Sequence, residues 1–197
     1  GAEIVSDNYG IHNMTTGNAV INIYGGTIEA KVAVKASTNG GAGESATVTI
    51  ESGNFKGALE NYTDAATIVV KGGTFDAKVD NKYVATGFIC KDNGNGTFGV
   101  IVDPKHGKVA QIIRNDYYAE NQYFATINEA VQAAQNGETV TLIADVETSA
   151  AGYATIGEEG YAVIVAVKEK DITLNFNGKS VTVTPTAEEL ANAEGKM

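Results

Sequence analysis

The side chains able to do chemistry are few: the chain of 197 residues holds one Cys, two His and one Arg. A zinc site needs Cys or His ligands at short, defined spacings. His12 and His106 are far apart, and neither has a His or Cys neighbour at such a spacing. Cys90, in the run Phe88-Ile89-Cys90, has no nearby His to draw off its proton. It reads as a small core or half-buried residue, not a nucleophile. Gly25–Gly26 and Gly72–Gly73 lack the flanking spacing of a phosphate-binding loop, and read as bends. One cluster has the character of a binding site: Tyr117, Tyr118, Tyr123 and Phe124. Tyr faces stack on sugar rings, and Asp116, Glu120, Asn121 and Gln122 would hydrogen-bond sugar hydroxyls. The competing reading makes alternate rings the inward face of a strand. Tyr117, Tyr118 and Tyr123 are therefore the candidate glycan contacts. No catalytic residue, metal ligand or cofactor site is expected.

The elements that carry these residues are written in the composition. Val and Ile number 20 and 16, against four Leu. β-Branched side chains lose rotamer freedom in helices and pack well on pleated sheets, so a helical bundle is excluded and a β-rich chain expected. A formal net charge of −10 repels phosphate backbones and anionic lipid, which argues against nucleic-acid and membrane-surface partners. No apolar run approaches the ~20 residues of a membrane span. The chain opens on Gly1, without an initiating Met or a leader-like segment, and reads as an excised piece of a longer one.

Three segments align without gaps: Ala19–Ala30 (AVINIYGGTIEA), Ala46–Gly57 (ATVTIESGNFKG) and Ala66–Ala77 (ATIVVKGGTFDA). Each alternates apolar and polar residues, bends at Gly-Gly or Ser-Gly, and adds one more inward residue, Ile28, Phe55 or Phe75. The copies begin 27 and 20 residues apart. Such units cannot bury their apolar face alone, so they are expected to stack as a solenoid. Stacking strand above parallel strand places Ile21, Val48 and Ile68 in one interior column, and Ile28, Phe55 and Phe75 in another. Val32, Val34 and Leu59, with Tyr62 nearby, would lie on second strands of the same coils, and Tyr9–Asn13 on an earlier coil. Lys82–Val102 alternates on either side of Asn93-Gly94-Asn95-Gly96, a hairpin signal, and is expected to turn away from the coil.

The run DPKHGK follows as a linker candidate. Val109–Ile113 and Asp116–Phe124 then read as strands. Thr126-Ile127-Asn128-Glu129 is a capping box opening a helix with Ile127, Ala130, Val131 and Ala134 on its apolar face. Asn136-Gly137 is expected to stop that helix. Strands are predicted at Thr139–Ile143, Tyr161–Val167, Asp171–Phe176 and Ser180–Thr184, with Asn177-Gly178 turning between the last two. The tail after Pro185 shows no core pattern.

The run YFATINEAVQAAQNGETVTLIADV at 123–146 resembles the opening segment of right-handed parallel β-helix domains of the pectate-lyase-like superfamily, where an amphipathic helix caps the coil. DITLNFNGKSVTV at 171–183 resembles the following rung. The Gly-Gly-Thr-Phe copies and KYVATGFICKDNGNGTF resemble closing rungs of such modules in large bacterial cell-surface repeat proteins. The resemblance implies a mainly β fold: parallel β-helix (solenoid) coils, a β-hairpin and one short capping helix at about 126–136. Residues 1–103 would be closing coils with a terminal hairpin, 104–108 a linker, and 109–197 a β-rich segment starting a second module.

Lyases of this superfamily would need clustered carboxylates for calcium and an Arg or Lys base. Asp64, Asp76, Asp80, Asp92 and Asp103 are scattered, and none recurs at the copy spacing. Arg114 lies in a turn outside the coils. Hydrolases of the fold would need two or three close Asp residues. Asp76 and Asp80 are the near pair in the repeat region, placed where the coil ends and read as turn residues. The expectation is a non-enzymatic, secreted or cell-surface bacterial module, a stalk, spacer or adhesive scaffold, without cofactor. Its partners would be neighbouring modules of a longer chain, and host or microbial glycans or surface proteins. The alternatives are a carbohydrate-binding module and a polysaccharide lyase or hydrolase of the same fold.

Overall fold

The computed structural model describes residues 1–114, 120–148, 154–156, 161–163 and 165–184. The fold is mainly β, with one short helix, and it divides into two compact units, Gly1–His106 and Gly107–Met197.

The first unit is built from the repeat. Strands β1 (Glu3–Thr15), β2 (Asn18–Thr38) and β3 (Ser45–Asn61) pair in parallel in that order, and β3 pairs in parallel with β4 (Ala66–Val70) and β5 (Thr74–Phe75). The register is the one the aligned copies predict. Ile21 lies opposite Val48, and Val48 opposite Ile68. Ile4, Ile28, Phe55 and Phe75 form a second column. The Phe55 and Phe75 rings stack with centroids 5.1 Å apart and planes 15° apart, close to the ~4.8 Å spacing of paired strands. Val48, Ile50, Phe55, Ile68 and Val70 are fully buried. Each such side chain contributes about 1.5–3 kcal/mol of apolar transfer energy, which is why the alternating pattern fixes the register.

The long strands do not run straight. Register slips occur in the β2–β3 pair at Tyr24–Thr27 and again at Glu29–Val32. At the first slip the second glycine of each copy has positive φ: Gly26 at 90°, Gly53 at 132°, Gly73 at 106°. At the second slip the single residue Gly57 of β3 faces Ala30 and Lys31 of β2. Outside the column, Lys56 pairs with Glu29 and Lys71 with Glu51, each at 3.0 Å.

Strands β6 (Phe88–Asp92) and β7 (Phe98–Val102) form the antiparallel hairpin the sequence predicts. Its position differs from the expectation. It does not turn away: β7 pairs antiparallel with β5, and Val100 N–H donates to Gly73 O at 3.0 Å. The reason is the exposed edge of β5, whose backbone groups would otherwise lack partners. The hairpin also covers the core with Val100, Phe88 and Cys90. Tyr83, which no sequence pattern singled out, is buried there and its hydroxyl accepts Asn61 N–H at 3.3 Å.

In the second unit, β8 (Ala110–Ile112) and β9 (Gln122–Phe124) pair antiparallel. Helix α1 (Ile127–Ala133) follows, then β10 (Thr139–Leu142), β11 (Val146–Thr148), β12 (Ala154–Ile156), β13 (Tyr161–Val163), β14 (Thr173–Asn175) and β15 (Val181–Val183). β10 is antiparallel to β8 but parallel to β14, and β11 is parallel to β15. β12 pairs antiparallel with β13. Asn177-Gly178, both with positive φ, therefore turns the chain between two sheets and does not close a hairpin. The core joins Ile127, Ala130 and Val131 of α1 to Ala110, Ile112, Val140 and Leu142.

The capping box forms as read: Glu129 N–H donates to Thr126 Oγ1 at 3.1 Å, and Thr126 N–H to Glu129 Oε2 at 3.2 Å. The helix ends earlier than the Asn136-Gly137 signal predicts, with Ala134 as an extended cap. Its last carbonyls are held by cations from elsewhere. Lys170 Nζ donates to Val131 O at 3.2 Å and also to Gln132 O, and Arg114 Nη2 donates to Ala133 O at 3.3 Å. Positive charge at a helix C-terminus satisfies these orphan acceptors. The tail after Pro185 lies outside the described residues.

Arg114 also forms a half-buried fork with Glu138, with Nε to Oε1 at 2.7 Å and Nη2 to Oε2 at 3.0 Å. The Arg114 bond and the Gln135 N–H hold the Glu138 carboxyl down at about 2, against an ordinary 4.5. A depressed carboxyl contributes stability above its unfolded value and loses it as pH falls through the folded one. Protection of the Ala134 amide, which bonds Ala130 O, is expected to weaken between pH 4.5 and about 2. Glu138→Gln should lower protection at neutral pH and flatten this acid dependence; hydrogen exchange across that range checks it, and an unchanged slope refutes the role.

Candidate functional site

Of the predicted glycan contacts, Tyr117 and Tyr118 lie outside the described residues. Tyr123 is on β9, half-buried and opposite Gln111 in the ladder. Cys90 is half-buried against the core of the first unit. His106 stands beside Gly87, remote in sequence from His12, and no metal-binding cluster occurs among the described residues. Asp76 and Asp80 do line one groove of about 230 Å³, with Leu59, Lys78, Lys82 and Tyr83. Both carboxylates are engaged in local structure. Asp76 Oδ1 accepts Gly57 N–H at 3.2 Å, and Asp80 Oδ1 accepts Lys82 N–H at 3.0 Å with Lys82 Nζ at 3.8 Å from Oδ2. These bonds fit the turn role read from the sequence.

A cluster that the pattern of residue types does not assemble lies on the first unit. The parallel register sets His12 opposite Lys35 and Lys35 opposite Glu60. Tyr9 precedes His12 on β1, and their ring centroids are 5.4 Å apart. Tyr62 follows β3 and is fixed by its own backbone. Tyr62 N–H donates to Ala36 O at 2.9 Å, and the next residue's Thr63 Oγ1 accepts Thr38 N–H at 3.0 Å. These anchors bring the two Tyr rings to opposite sides of one ammonium. Lys35 Nζ lies 4.8 Å from the Tyr9 centroid and 4.5 Å from that of Tyr62, and donates to Tyr9 Oη at 3.4 Å.

Beneath the cluster, His12 Nε2 is 2.8 Å from Ser37 Oγ. Burial, then the neighbouring Lys35 charge, push the imidazole pKa below its ordinary value, so the ring is neutral at pH 7. Tyr62 remains 73% exposed and Tyr9 38%, so both rings face solvent while gripping the cation. The signal in the sequence is slight: the 26 residues between Tyr9 and Lys35 approach the copy spacing, but Tyr62 enters only through the register slips. The other exposed aromatic of this unit, Tyr24 at 74%, has no cation over its ring.

No helix among the described residues is long and apolar enough to cross a membrane. No family model matches the chain, and comparison with curated proteins and with solved structures finds no match.

Proposed function

We propose that the chain is a non-catalytic module of parallel β-helix type, serving as a stalk, spacer or adhesive scaffold at a bacterial cell surface. The observation that carries this reading is the in-register parallel stacking of the three sequence copies, with Ile21, Val48 and Ile68 in one column. Stacked coils of this kind grow by repetition, and their outer faces are free to vary while the columns hold the fold. The parallel pairing of β10–β14 and β11–β15 supports a second, shorter stack in the other unit. The inter-strand pairs Lys56–Glu29 and Lys71–Glu51 leave an outer face that is charged and solvated, as a spacer requires.

The enzymatic alternative would place its chemistry in the groove at Asp76 and Asp80, where both carboxylates already serve the backbone. Incubation of the chain with pectins and other acidic polysaccharides, with and without calcium, is expected to release neither unsaturated products nor reducing ends. Turnover that disappears on replacing Asp76 or Asp80 with Asn would overturn the non-catalytic reading. A binding role is favoured by the Tyr9–Lys35–Tyr62 cluster.

A further inference from the structure

We infer that the outer-face cluster of Tyr9, Lys35 and Tyr62 is a binding site for a carboxylated sugar, a uronic acid within a glycan chain. The inference goes beyond the scaffold reading and requires only that β1, β2 and β3 keep their observed register. Its starting point is a charge that fails to pair. Three lysines of this unit lie next to carboxylates on neighbouring strands or turns and bond them: Lys56 with Glu29, Lys71 with Glu51 and Lys82 with Asp80. Lys35 faces Glu60 in the same kind of register, yet forms no ion pair with any carboxylate among the described residues. Its ammonium instead sits between two rings, in a chain of net charge −10 where acidic partners are plentiful.

That arrangement suits one ligand chemistry. Two aromatic faces hold a cation against the surface without neutralising it, so its charge stays available to an incoming anion. The exposed face of Tyr62 offers an apolar platform with a hydroxyl at its rim, matched to the C–H face of a sugar ring. A carboxylate on that sugar would reach Lys35, and the neutral His12 ring beside Tyr9 would serve a sugar hydroxyl. Because Tyr62 is pinned through Ala36 and Thr38, little side-chain or loop ordering opposes binding. An acidic peptide would use the charge but leave the ring platform idle, so the glycan is the occupant that uses both.

Titration calorimetry of the full chain with a mannuronate trimer, its neutral counterpart mannotriose, and hexaglutamate tests the assignment. The mannuronate trimer is expected to bind, and to bind at least about tenfold more tightly than mannotriose, the worth of one charge-assisted hydrogen bond. Lys35→Gln should abolish that preference, and Tyr62→Ala should weaken the trimer roughly fivefold. Tyr24→Ala, which removes an equally exposed ring away from the cluster, should change nothing. Circular dichroism of each variant separates lost binding from lost fold. Absence of trimer binding, or binding indifferent to both Lys35 and Tyr62, overturns the inference. Hexaglutamate binding as tightly as the trimer overturns the sugar assignment and leaves a surface that reads carboxylates alone. None of these outcomes bears on catalysis, so the polysaccharide incubation tests the scaffold reading separately.

Discussion

Gly57→Ala is expected to destabilise the first unit by about 3 kcal/mol or more, the sum of backbone strain and overpacking. Gly57 has φ 120°, a region L side chains rarely adopt. A Cβ there would lie 1.9 Å from Ala30 O and 3.0 Å from Ala30 C. Both obstacles are backbone atoms of the neighbouring strand, so no rotamer change relieves the clash. The only escape is separation of β2 from β3 at the slip where one residue faces two, which also breaks the Gly57 N–H bond to Asp76 Oδ1. Gly43→Ala is the control. Gly43 also has positive φ, at 79°, but nothing lies within 4 Å of its added Cβ, so its cost is limited to about 1 kcal/mol of conformational strain. Urea unfolding followed by far-ultraviolet circular dichroism measures both. Equal midpoints for the two variants would show that the close approach at Gly57 is not there.

The second large effect is expected at Phe55. Its side chain is 2% exposed and lies in the ladder between Ile28 and Phe75. Phe55→Ala should cost about 3–5 kcal/mol, the transfer energy of the ring plus the cavity it leaves. Phe75→Ala should cost less, because the loop after β5 and the hairpin have more room to settle than a residue between two paired strands. The two losses should not be additive. A stacked pair at 5.1 Å couples by about 0.5–1.5 kcal/mol, so the double variant should be less destabilised than the sum. Strict additivity in a double-mutant cycle would rule out ring contact.

These two residues also show what the sequence could reveal. Phe55 was legible because its copy aligns with two others, and period-two alternation with a fixed bend leaves one register that buries every apolar side chain. The hairpin was legible from Asn93–Gly96, but its docking on β5 was not, because an unpaired edge is a property of the assembled sheet. The end of α1 was misplaced for a similar reason. Asn136-Gly137 is a local stop signal, whereas Arg114 and Lys170 reach the helix from 19 and 38 or 39 residues away. The sugar-site candidates followed the same divide. Tyr117, Tyr118 and Tyr123 stood out because they crowd together in sequence. Tyr9, Lys35 and Tyr62 are gathered only by strands stacked in register, with slips that no pattern of residue types announces.

The slips and the unequal copy spacing share one consequence. The first two copies are 27 residues apart and the last two 20, yet Val48 finds Ile21 on one side and Ile68 on the other. The extra length leaves the stack sideways, largely in the exposed stretch 39–44 between β2 and β3. Contour length and vertical rise are thus decoupled: a lineage can lengthen one winding, hang a new loop from the flank and keep every pairing above and below it. A scaffold with that freedom can acquire recognition surfaces by insertion, without redesigning what holds it upright.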